Sequence, residues 1–151
     1  MKTPAHLLAS AAIAAVFYPA FGWKAVLILA GGVAIDIDHY FLYILKYKKF
    51  GLRDCYDHFT SDAEKNNYKD VMGILLIFHT VEFAAAMAIL SFYSQLALIF
   101  SIGLLGHYIL DAIYISTVPK RIIINHSVIS WIAKENSNRK IYIQARKRNG
   151  R

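Results

Sequence analysis

Three short polar groups interrupt the apolar runs of this 151-residue chain: Asp36, Asp38 and His39, then His79 and Glu82, then His107 and Asp111. Imidazole together with carboxylate is the donor set that suits zinc and related transition ions, and a His and an Asp one helical turn apart can chelate one ion. Shared protons or a water-filled cavity would use the same residue types. Four carboxylates at ~2.5–3.5 kcal/mol each would cost on the order of 10 kcal/mol if left uncompensated near mid-membrane. Lys24 is the one basic residue in the three runs, and it sits at an edge. Salt bridges therefore cannot compensate the carboxylates, whereas a bound cation can.

The elements that must position these residues follow from hydropathy. The chain is 57% hydrophobic and 18% charged, with its apolar residues bunched rather than spread at the period of a soluble core. Residues 23–45, 71–93 and 94–118 each reach the ~20 residues that cross a ~30 Å hydrocarbon core, and residues 5–21 come close. Without water to satisfy the backbone such runs must be helical, which predicts an all-α, polytopic bundle of four transmembrane helices forming one membrane domain over 1–151. A cytoplasmic N-terminus puts 16 of the 17 Lys and Arg on the inside, only Lys24 falling outside, so both termini are expected in the cytoplasm. Residues 1–20 could also serve as a cleaved signal peptide, but Phe17, Tyr18, Pro19 and Phe21 make a poor cleavage region.

This topology brings all three polar groups to one level, roughly 9–17 Å inside the cytoplasmic boundary at ~1.5 Å per residue. Spacing also gives them shared faces: His107 with Asp111, His79 with Glu82, and Asp36 with His39. Asp38 points about half a turn away from Asp36, which fits a supporting or packing role for one of the two. Gly31, Gly32, Gly103 and Gly106 permit close helix approach. His58, His126, Tyr40 and Tyr108 are expected to be ordinary polar or packing residues.

Outside the runs, the 46–70 loop mixes both charge signs and is expected to be a solvated connection with a short helix. Its lone Cys55 excludes an intramolecular disulfide. Beyond Pro119, an apolar stretch around Trp131 predicts a helix lying at the interface, followed by a basic tail reaching residue 151. The net charge of +7 is placed to set topology and to meet anionic lipid head groups, so no nucleic-acid partner is expected.

AHLLAS at 5–10, DIDH at 36–39, FHT at 78–80 and GHYILD at 106–111 together resemble the membrane-bound metal-dependent hydrolase family of small inner-membrane proteins, a group with a LexA-regulated member. The resemblance covers about residues 5–118. It implies a multi-pass protein of the inner (plasma) membrane whose metal ligands are His6, Asp36, Asp38, His39, His79, His107 and Asp111. The family's leading Gly is Ala5 here, Ile35 stands where Pro is usual, and a longer His-rich block is reduced to His79 with Glu82 beside it. A weaker likeness to zinc-dependent phospholipase C adds an expectation of phosphodiester chemistry.

One or two divalent ions, with zinc the leading candidate, would then lower the pKa of water towards ~7 and polarise a phosphoryl oxygen, with Asp36 or Glu82 as base. A site one or two turns below the cytoplasmic surface would admit a phospholipid or lipid-linked phosphate from the side. Two other classes remain: a metal-ion or proton transporter, and a noncatalytic membrane protein with a structural metal. A transporter needs a polar path to the outer face. The second run offers nothing polar beyond Asp36, and the third only Ser91 and then Gln95.

Overall fold

A computed structural model describes residues 3–63, 74–117 and 126–136, and these residues form helices without strands. Helix α1 spans Thr3–Phe21, and a tight turn at Gly22–Ala25 leads into α2, Val26–Val33. Gly22 adopts φ 58°, a left-handed conformation that costs a residue without Cβ little, and α2 packs back against α1. A second 3₁₀ turn, Ala34–Asp36, precedes α3, Ile37–Tyr47. Helix α4 covers Leu52–Asp57 and runs on into one wide turn at His58–Asp62. After a 3₁₀ turn at Ile77–His79 come α5, Val81–Ser91, and α6, Gln95–Thr117, and a last helix, α7, occupies 128–136.

The long elements alternate in direction. Lys24 Nζ donates to Gln95 Oε1 across 3.0 Å, tying the α1–α2 turn to the start of α6 at one end. His6 Nε2 lies 3.2 Å from Asp111 at the other. Between them α2 and α6 meet backbone to backbone: a Cβ on Gly103 would run into the Ile28 carbonyl, and one on Gly31 into that of Phe100. Ile28 and Ile99 fill the fully buried apolar core beside this crossing.

Polarity is distributed inside out. His6, Ser10, Asp38, Thr80 and His107 are buried, whereas Leu8 (72% exposed), Val16 (75%) and Leu105 (60%) face outward. Many large apolar side chains left exposed while several polar ones are buried is a distribution that suits contact with lipid. Two helical runs among the described residues, Thr3–Tyr47 and Gln95–Thr117, are long and apolar enough to cross a membrane.

The third predicted crossing differs from expectation. Its start, 71–73, and residues 64–70 of the loop lie outside the described residues, and α5 is only 11 residues, about 16 Å at ~1.5 Å per residue. Ahead of it the backbone breaks at His79 and Thr80 because better partners than an α-helix are at hand. The Thr80 hydroxyl caps α5 by accepting from Phe83 N (3.3 Å), the Phe78 amide donates to Asp38 Oδ2 (3.2 Å), and Tyr108 donates to the Phe78 carbonyl (2.6 Å). Irregular backbone inside a membrane is tolerated where protein groups satisfy it in this way. The helix expected near Trp131 is present as α7; the basic tail beyond 136 lies outside the described residues.

Candidate metal centre

Four segments deliver their side chains to one end of the bundle. His6 comes from the first turns of α1, Asp36 from the 3₁₀ turn, Asp38 and His39 from α3, His79 from the turn before α5, and His107 with Asp111 from one face of α6. Asp36 occupies the N-cap position of α3 but makes no side-chain capping bond, which leaves its carboxylate to the cluster.

The hydrogen bonds behind the two central imidazoles set their tautomers. His107 Nδ1 lies 2.9 Å from the Gly32 carbonyl, an acceptor only, so that nitrogen carries the proton and Nε2 keeps its lone pair. His79 Nδ1 lies 3.0 Å from Asp38 Oδ2 and donates to it in the same manner. The two Nε2 atoms face each other at 3.2 Å, close enough to share a proton or to flank a cation. Asp36 Oδ1 is 3.6 Å from each of them, and Asp111 Oδ2 is 3.8 Å from His79 Nε2 and 3.2 Å from His107 Nε2. Two imidazole nitrogens and two carboxylates converging in a largely buried space call for positive charge among them, and a shared proton or a bound cation supplies it. A tetrahedral shell with bonds of ~2.0–2.1 Å has donor–donor edges of ~3.3–3.4 Å, within the range of these separations.

The flanking residues extend the cluster on both sides. His6 stacks on His107 with ring centroids 3.8 Å apart, its Nε2 beside Asp111 Oδ1. His39 Nδ1 is 3.1 Å from Asp38 Oδ1 and 3.6 Å from Asp36 Oδ1. Among the described residues, the buried His6 Nδ1 has no hydrogen-bond partner, and Asp38 Oδ1 and His39 Nδ1 have only each other, at 3.1 Å, and Asp36 nearby. Unsatisfied buried polar atoms are rare in native proteins, and at a donor cluster a cation accounts for them. Three groups of donors are close enough to hold an ion: His6, His107 and Asp111; Asp36, His79 and His107; and Asp38, His39 and His79. All seven residues expected as ligands belong to at least one group.

Burial is uneven across the cluster. The His107 side chain is 0% exposed and that of His6 1%, but Asp36, His39 and Asp111 are 23%, 26% and 22% exposed. Phe59, on the wide turn after α4, sets its ring edge against His39 at 4.9 Å, and Cys55 Sγ sits 3.9 Å from the His39 carbonyl. The 52–62 segment, expected as a mere connection, thus borders partly exposed His39. Burial pushes the Cys55 thiol up from its ordinary value, which keeps it neutral and in its packing role.

Glu82, expected as a base beside His79, belongs to none of the three donor groups among the described residues, and its carboxylate is engaged elsewhere. Its Oε1 accepts from the Ser127 hydroxyl (2.6 Å) and the Ile129 amide (3.3 Å), and its Oε2 accepts from the Val128 amide (3.1 Å). Spacing placed Glu82 on the face of His79 on the premise of one continuous helix; the break at Thr80 removes that premise. Two supporting groups escaped the sequence, the Gly32 carbonyl and the Ser127 clamp. The first has no sequence signal, being backbone. The second had one: Ser127 precedes the apolar run 128–133 as an N-cap residue does.

Asp38 is the cheapest test of the tautomer assignment. Asp38→Asn offers His79 Nδ1 a weaker acceptor, so metal affinity is expected to fall about 10–100-fold, the range for partners that orient a ligand. Competition against a chelator of known affinity measures it, and an unchanged constant would remove Asp38 from that role.

Fold and site together define a protein that is helical over its described residues, with two runs long and apolar enough to cross a membrane and a largely buried His–Asp cluster able to hold a metal ion. No protein-family model, curated protein or solved structure matches the chain.

Proposed function

We propose that this chain is a multi-pass inner-membrane protein, four elements across and both termini cytoplasmic, that hydrolyses a phosphoester of a lipid or lipid-linked substrate with one or two divalent ions. The observation that carries it is the convergence of His79 Nε2 and His107 Nε2, 3.2 Å apart, with the carboxylates of Asp36 and Asp111. The motifs resembling the membrane-bound metal-dependent hydrolases supply these same residues, and zinc suits the nitrogen–oxygen donor set. The inside-out polarity and the charge bias support the membrane placement.

A divalent ion bound here supplies Lewis acidity towards water and a phosphoryl oxygen. The protein's residues do the rest. His107 and His79 are held in their donor tautomers by Gly32 and Asp38, and His6 steadies Asp111 from behind. Asp36, partly exposed, is the carboxylate positioned to take a proton from an attacking water, with His39 next to it to hold or pass that proton on. Glu82, committed to the 127–129 backbone, is outside this step. Partly exposed Asp36, His39 and Asp111 in a bundle with many outward apolar residues favour a substrate that arrives from the membrane with its phosphate foremost.

Purified protein loaded with zinc or manganese should turn over a generic phosphodiester, and Asp36→Asn should lower kcat by about 10²–10⁴-fold even when assayed at saturating metal. Stoichiometric metal without turnover of any phosphoester, in detergent or in lipid, would convert the centre to a structural staple. Metal flux into liposomes would instead favour a transporter.

A further inference from the structure

The clamp at Glu82 joins two helix beginnings. The first N–H groups of an α-helix lack partners within it, and both α5 and α7 solve this by borrowing from the other. The Val81 amide, at the start of α5, donates to the His126 carbonyl at 2.8 Å. In return Glu82 accepts the Val128 and Ile129 amides at the start of α7 together with the Ser127 hydroxyl, while Ser127 Oγ accepts from the Ser130 amide at 3.2 Å. Two positive helix ends meet there, and the Glu82 carboxylate lies between them. The segment is therefore fixed two residues from His79, by charge-assisted bonds rather than by apolar packing.

Its outer surface is left without protein cover. Val128 and Trp131 are half-buried, but Ile129 is 72% and Ile132 47% exposed, with Ala133 beside them on the same side of the helix. Ser130, Lys134 and Glu135 lie off this stripe, and half-buried Trp131 lies on the far side. The next 15 residues carry Arg139, Lys140, Arg146, Lys147, Arg148 and Arg151 and no Asp or Glu. An exposed apolar stripe followed by purely basic sequence matches a surface that is apolar below and anionic above. Interfacial helices ride ~5–10 Å into the headgroup and acyl boundary.

We propose that α7 is an interfacial helix that docks Ile129, Ile132 and Ala133 into an anionic bilayer surface, and that Glu82 is the residue that fixes its position beside the metal centre. This rests on the membrane placement proposed above and not on hydrolytic activity. Each basic residue near an anionic surface strengthens binding, so the preference for anionic over zwitterionic lipid is the distinguishing property.

Trp23→Phe leaves Trp131 as the single tryptophan, and nanodiscs containing brominated lipid report its contact with acyl chains. The expected result is at least about twofold deeper quenching of Trp131 with brominated phosphatidylglycerol than with brominated phosphatidylcholine, abolished by Ile129→Ser with Ile132→Ser. In Glu82→Gln, trypsin cleavage after Lys134 should accelerate about tenfold, as expected when charged hydrogen bonds become neutral ones. Equal quenching in the two lipids, or none, would overturn the docking surface while leaving the membrane placement intact. A chain that does not enter nanodiscs would overturn both.

Discussion

Alanine at His107 should empty the metal centre. Binding free energies of about 10–16 kcal/mol for a four-ligand zinc site average roughly 3 kcal/mol per ligand, so losing Nε2 should weaken binding at least about 10²-fold. Purified His107→Ala is expected to retain under about a tenth of the wild-type metal by elemental analysis. The substitution also removes the hydrogen bond to Gly32 and the stack on His6, and leaves a cavity costing about 2–4 kcal/mol. Asp111→Asn separates the two effects, because it preserves volume and should lose metal with helix content unchanged by circular dichroism. Undiminished metal in both variants would refute the assignment. Acidification should act in the same direction in the wild type. Protons compete with the metal for His79 Nε2 and His107 Nε2, so affinity falls as pH drops and proton release accompanies binding.

What the sequence conveys about this site is chemical identity and spacing along single helices. His107 and Asp111 are four residues apart, and in α6 their ligand atoms lie 3.2 Å apart. Hydropathy likewise locates α1 and α6 within two residues at each end, since a run of apolar residues wide enough for a bilayer has one favourable conformation. The 71–93 run shows where this logic stops. Side-chain transfer energies do not register that Asp38 can take the Phe78 amide or that Tyr108 can take its carbonyl, forty and thirty residues away in the chain. Those non-local bonds make a broken backbone at His79 satisfiable. With the break, Glu82 leaves the face of His79 and engages Ser127 instead. The same limit hides Gly32: its carbonyl determines which nitrogen of His107 is available, and a carbonyl has no signature in sequence.

Gly103→Ala should cost more stability than any other single methyl added to α6, and the reason lies in what the methyl meets. Gly→Ala inside a helix ordinarily stabilises by about 0.5–1 kcal/mol through propensity. At Gly106 an added Cβ meets only the Ile13 Cδ1 atom at 2.9 Å, the far end of a flexible side chain that can swing aside. The two effects nearly cancel there, and Gly106→Ala is expected to be within about 1 kcal/mol of wild type. At Gly103 the methyl meets the Ile28 carbonyl and the Gly32 amide, both backbone atoms held within α2. Neither can yield without moving the helix, so overpacking of about 3 kcal/mol or more is expected, the upper end for core insertions. Displacing α2 also withdraws the Gly32 carbonyl from His107 Nδ1 one turn further along, so metal affinity should fall with stability in Gly103→Ala and not in Gly106→Ala. Thermal unfolding in detergent, with and without added zinc, measures both quantities in one titration. Equal melting temperatures for the two variants would mean that the α2–α6 crossing is looser than its backbone contacts require, and would remove the structural basis for the His107 tautomer on which the metal centre depends.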